Sequence, residues 1–328
     1  MSAVMSSTER RAGARKRPGS SGPARERVSS IQRQRLLAAA AEVVAERGAG
    51  NVTVAHIVAR SGVSRRTFYE LFADREDCLL AALDQAIDQG TAAVLPAYES
   101  GGRAWRERMR AALTALLVFL DEQPALAHLA VVEALGAGPR ALARRKRIVH
   151  ALIAAVDEGR AECRPGREPP ALAAEGVVGA VLAVIHARIC ENPGEPLAGL
   201  TGPLMGTIVL PYLGRSVAQR ELDRPAPPIK IKKITRSDPL DGLDMRLTYR
   251  TVRVLIAIAG RPAASNRQVA GAAGIADQGQ ISKLLTRLQN LGLIENAGEG
   301  QAKGAPNAWR LTGKGEEVER AIRTESGG

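Results

Sequence analysis

Thr53 to Phe72 reads Thr-Val-Ala-His-Ile-Val-Ala-Arg-Ser-Gly-Val-Ser-Arg-Arg-Thr-Phe-Tyr-Glu-Leu-Phe. Thr53 stands where a side-chain oxygen caps a helix, and Val54, Ile57 and Val58 give that helix an apolar side. Gly62 supplies a sharp turn and Val63 an apolar plug. Ser64 then caps a further helix that opens Arg65-Arg66-Thr67. Upstream, Ile31 to Arg47 is amphipathic, with Leu36, Leu37, Val43 and Val44 on its buried side, and Gly48 ends it as a C-terminal cap. A helix, a glycine turn and a capped helix with a basic leading edge form a helix-turn-helix that offers side chains to a major groove.

The same run resembles the DNA-binding signature of the TetR family. The likeness rests on the Thr53 cap, the Gly62-Val63-Ser64 turn, Thr67, the Phe68-Tyr69 pair and Phe72. Asp74-Arg75-Glu76-Asp77 fits the start of the family's fourth helix, and Val58 departs from it where alanine is usual. The resemblance implies that Thr53, Ser64 and Tyr69 hold phosphates, and that Arg65, Arg66 and Thr67 reach base edges.

The 328-residue chain carries a net charge of +12, which favours a polyanionic partner. Aromatic residues make up 3%, too few for stacking platforms that hold single strands. The apolar run Gly176 to Ile189 is broken by His186 and Arg188 and reads as too short for a membrane span. No signal-peptide pattern opens the chain, and Cys78, Cys163 and Cys190 lie far apart. Nothing in the sequence supplies a phosphate loop, a nucleophile elbow or metal-ligand spacing, so no enzyme, metal or cofactor is expected. A cytoplasmic, nucleoid-associated protein without a membrane partner follows as the expectation.

Composition shifts divide the chain. Residues 1–29 hold seven arginines and lysines against two glutamates, with few apolar residues, and read as a disordered tail. It is either a solvated segment or an arm that tracks DNA. Residues 30–76 form the helix-turn-helix domain and 77–222 a helical ligand-binding and dimerisation domain. Residues 223–241 are a basic, proline-rich linker, and 242–323 a last domain with its own core positions.

In the helical domain, two long helices, at about 171–191 and 195–221, carry Gly176, Gly179, Ala180, Ala183, Gly199 and Gly206. The family resemblance makes this pair the face of a homodimer, which suits a palindromic double-stranded operator. It also implies a small-molecule effector of unidentified chemistry. Trp105, Phe119, His128, Glu133, His150 and His186 are candidates to line its pocket, or are ordinary packing.

In the last domain, Ser265 with Gln268 and Asp277 with Gln280 have capping-box spacing. The second pair opens a helix with Ile281, Leu284, Leu285, Leu288 and Leu291 on one face. Gln278, Gln280, Ser282, Lys283, Thr286 and Arg287 lie opposite. Two short strands flank a glycine-rich stretch containing Lys303, and a final helix follows. This order resembles the winged helix-turn-helix of MarR-like regulators, which implies a second DNA reader or a protein-binding module. The expected fold is therefore mainly α, with TetR-like helical domains plus a small α+β winged-helix domain. The expected function is a homodimeric, ligand-responsive repressor; the alternatives are an architectural DNA-binding protein and a regulator whose winged helix binds a protein.

Overall fold

The computed structural model describes residues 23–192, 194–225, 249–298 and 307–324. The basic tail up to residue 22, the linker from 226 onward and Lys303 lie outside them. The described chain is mainly helical and falls into two compact units, one within Ile31–Leu247 and the other containing the segment from Thr248 onward.

The first helix, α1, runs Pro23–Arg47, so it starts before the expected Ile31. Proline is tolerated in a first helical turn, and no breaker follows it before Gly48. Then come α2 (Val54–Ser61), α3 (Arg65–Leu71), α4 (Arg75–Ser100) and α5 (Trp105–Glu122). The short α6 (Pro124–Ala127) continues through a π turn at His128–Val132 and a 3-10 turn at Glu133–Leu135. Next are α7 (Pro139–Asp157), α8 (Ala173–Glu191), α9 (Thr201–Leu213) and α10 (Arg215–Asp223).

The single helix expected at 195–221 is broken. Gly214 adopts φ 80°, left-handed backbone that favours glycine, and α10 turns back along α9. Gly206 makes that return possible, since a Cβ there would sit 2.9 Å from Leu222. Gly206 therefore serves packing inside the protomer.

Two apolar clusters hold this unit. In the first, Leu36, Leu37, Ile57, Phe68 and Leu83 pack with Leu129 and Ala141, so the helix-turn-helix shares its core with α4, the α6 segment and α7. The second joins Trp105 and Leu117 of α5 to Val178 and Ile185 of α8 and to Met205 and Tyr212 of α9. Phe119 packs against both. A buried ion pair, Arg110 Nη1 to Glu221 Oε2 at 2.6 Å, fastens α10 to α5. Arg110 also donates to the carbonyls of Arg224 and Pro225.

The C-terminal unit has α11 (Tyr249–Gly260), α12 (Asn266–Ala273), α13 (Gln278–Asn290), β1 (Ile294–Asn296), β2 (Trp309–Leu311) and α14 (Gly313–Thr324). The strands pair antiparallel, with Ile294 opposite Leu311 and Asn296 opposite Trp309. Ala264 adds an antiparallel bridge to Trp309 that places the α11–α12 connection on the hairpin's other side.

Candidate nucleic-acid interface

The Thr53 hydroxyl accepts from the His56 amide at 3.3 Å, and Ser64 Oγ accepts from the Thr67 amide at 3.1 Å. Each such cap is worth roughly 1 kcal/mol. The turn between them is stitched by Ser61, whose hydroxyl accepts from the Val63 amide at 3.2 Å, while Gly62 takes φ 66°. Phe68 and Phe72 anchor α3 in the core, which leaves Arg65, Arg66 and Tyr69 exposed and Thr67 half-buried. Tyr69 is 59% exposed, with its ring edge-on to Phe68. Arg66 pairs with Glu70 at 2.9 Å, but with 89% of its side chain exposed this contact is worth only about 0.3–0.5 kcal/mol. So weak a pair does not tie Arg66 down.

The loop behind this helix pair is gripped from two sides. Arg75 Nη1 donates to the carbonyls of Ala49, Gly50 and Val52, the last at 2.8 Å. Glu133 accepts from the Ala49 amide at 2.7 Å across 84 residues of sequence. Sequence reasoning misses Arg75, because a side chain bonding backbone carbonyls of a distant loop leaves no periodic signal. Arg60 braces α2 against Glu42 and Glu46 of α1.

In the C-terminal unit, the Ser265–Gln268 capping box is complete. Asp277 caps α13 through the Gly279 and Gln280 amides, but Gln280 does not close the box; its Oε1 accepts from Arg250 at 3.1 Å. Gln278, Gln280, Ser282, Lys283, Thr286 and Arg287 lie on the face opposite the buried Ile281, Leu285 and Leu288, and all six are exposed. The hairpin is tied down by asparagines. Asn266 Oδ1 accepts from Trp309 Nε1 at 2.6 Å and from Asn307 at 3.1 Å, and Asn296 donates to Asn307 at 2.9 Å.

Residues 36–82 match the family described as bacterial regulatory proteins, tetR family. The N-terminal helix-turn-helix is similar to the DNA-binding domain of that family. Solved structures similar to the chain include the fatty acid degradation regulator FadR from Bacillus halodurans, at 18% identity and a TM-score of 0.49, covering 54% of this chain and 94% of that one. FadR from Bacillus subtilis in complex with stearoyl-CoA has 19% identity and a TM-score of 0.48, covering 55% and 98%. The ketosteroid regulator KstR2 of Mycobacterium tuberculosis has 23% identity and a TM-score of 0.42, covering 58% and 91%. No curated protein matches the chain.

Of the six effector-pocket candidates, the structure brings His128 and Glu133 together. Trp105 is sealed in the second core, its indole N–H donated to the Ala155 carbonyl at 2.9 Å. Glu133 is occupied by the Ala49 amide, with His128 Nδ1 4.0 Å from its other oxygen. Phe119 bridges the two clusters, His150 is exposed on α7 and His186 is half-buried on α8. The helix α8 has the length and apolarity of a membrane span, contrary to the sequence expectation, because all 19 residues from Ala173 stay helical. One side of it, Val177, Val178, Val181 and Ile185, packs into the second core.

Proposed function

We propose that the chain is a homodimeric transcriptional regulator that reads operator DNA with α3 of each subunit and touches it again through the C-terminal unit. The observation that carries the reading is the leading edge of α3 in the TetR-family domain. Arg65 and Arg66 project from a Ser64-capped first turn with no competing buried role, as side chains that enter a major groove must. Thr53, Ser64 and Tyr69 lie at helix ends or in the open, suited to flanking phosphates.

Dimerisation is supported by α8 and α9. Gly176, Gly179, Ala180, Ala183 and Val184 of α8 are exposed, as are Pro203, Thr207 and Leu210 of α9, and these stripes allow close helix approach. The winged-helix reading of the C-terminal unit is favoured by the Ala264–Trp309 bridge, which adds the third strand-like segment that such a fold places before its second helix. In this reading Gln278, Gln280, Ser282, Lys283 and Arg287 face DNA from α13; Lys303 lies outside the described residues. A small-molecule effector would act on the Glu133 contact, because a ligand shifts DNA affinity only by favouring one arrangement of the head over another.

Footprinting the purified protein on the DNA upstream of its own gene tests this function. A protected palindrome, with binding to it far tighter than to random DNA at the same salt, is the expected result. Equal affinity for both would mark an architectural DNA-binding protein instead.

A further inference from the structure

The C-terminal unit contains a cleft of about 380 Å³ between α11 and the α12–α13 turn, lined by Arg250, Arg253, Ala273, Gly274, Ile275, Ala276, Asp277 and Gln280. We infer that this cleft holds a DNA backbone phosphate beside α13, with Arg250 and Arg253 as its clamp; the inference rests on the winged-helix reading of this unit.

Both arginines come from one face of α11, three residues apart. The Arg253 guanidinium lies flush with the turn, since a Cβ on Gly274 would sit 2.5 Å from Nη2. Only glycine leaves it that seat. Arg250 is exposed and held toward α13 by Gln280, whose amide is an exchangeable acceptor. Asp277 is the one acid in the lining, and its Oδ1 already accepts from the Gly279 and Gln280 amides of α13. Among the lining side chains, two guanidiniums stand beside one carboxylate, and that carboxylate is turned to the α13 amides. Planar guanidinium forks match phosphate oxygens in pairs.

The lining has no aromatic surface to stack a base or an organic ring, which disfavours a free nucleotide. The cleft is also walled by the first turn of α13, and Lys283 and Arg287 continue its charge along that helix. A helix lying in a major groove meets the bordering strand's phosphates at that end.

The test uses the full chain and the DNA fragment protected in the footprint. Arg250→Gln with Arg253→Gln should weaken binding about tenfold. It should also flatten the slope of log affinity against log salt by about 0.9 for each phosphate released, with unchanged circular dichroism. Lysines at both positions should restore the slope but not the full affinity. If the glutamine pair binds like the native chain while Lys283→Ala with Arg287→Ala binds weakly, the clamp is wrong and the winged-helix reading stands. If neither variant changes binding, both fall. Titration with inorganic phosphate separates the remaining source: a chain that binds the free ion through these arginines, with DNA binding untouched by the glutamine pair, overturns the DNA assignment.

Discussion

Arg65 and Arg66 stand on a capped helix whose inner side is fixed by Phe68. Replacing both with alanine should abolish the preference for operator over random DNA, because each bidentate base contact is worth about 1–3 kcal/mol of discrimination. Circular dichroism should stay native, since neither side chain is buried. Retained preference in a fluorescence anisotropy competition would take α3 out of the reader's role. Cys78 behaves in the opposite way. Burial, then the Asp77 charge, pushes its thiol from 9.0 up to about 12. Between those values the unfolded chain loses the proton and the folded chain keeps it, so stability falls as pH rises above 9. Tyr98 and Tyr212, pushed from 10.0 to about 12 mainly by burial, add to that loss above pH 10. Thermal melts between pH 8 and 10 should show the midpoint declining, and less so in Cys78→Ala relative to its own value at pH 8. Thiol reagents should label exposed Cys190 quickly and Cys78 only on unfolding.

At the scale of elements, caps and glycine turns are the most legible part of the sequence. Thr53, Ser64 and Ser265 cap the helices that their spacing predicts, because capping is a local interaction that needs no tertiary partner. The break at Gly214 is not legible, since an apolar run with period 3.6 looks the same whether one helix continues or two fold together. Gln280 escapes a local reading for a related reason: its partner, Arg250, comes from another helix. The Glu133 contact with Ala49 is likewise invisible across 84 residues. Glu133→Ala leaves that part-buried amide without a partner, which costs roughly 1–3 kcal/mol. A lower melting temperature with weaker operator binding is expected. A melting temperature equal to that of the native chain would mean the loop is held by Arg75 alone. On α8, Gly179 is exposed and a Cβ added there would meet nothing within 4 Å, so the backbone of the protomer leaves room for Gly179→Leu to start outward. Any effect must then come from whatever covers that face. Light scattering should report a shift toward monomer, with weaker DNA binding; a variant that remains dimeric places the interface elsewhere.

At the scale of the whole molecule, the C-terminal unit distinguishes this chain from one built only of a TetR-type domain and a helical bundle. Residues 224–236 hold five basic residues and no acid, and could span about 40 Å if fully extended. The root of this segment is fixed, because buried Arg110 binds Glu221 and the carbonyls of Arg224 and Pro225. Breaking a buried pair of this kind typically costs about 3–5 kcal/mol, so a truncation that respects the fold should follow Pro225 and spare those acceptors. Such a chain keeps both apolar clusters and the exposed stripes of α8 and α9, and should stay folded with the oligomeric state of the intact chain. If the C-terminal unit reads DNA, its loss removes phosphate contacts and also the high local concentration that tethering gives it. The footprint should shorten, affinity should fall and the salt slope should become shallower. Adding the severed C-terminal part as a separate chain should not restore affinity at equal concentration, because the tether is gone. An unchanged footprint and slope after truncation would reassign the C-terminal unit to a protein partner, and the clamp of Arg250 and Arg253 would fall with it.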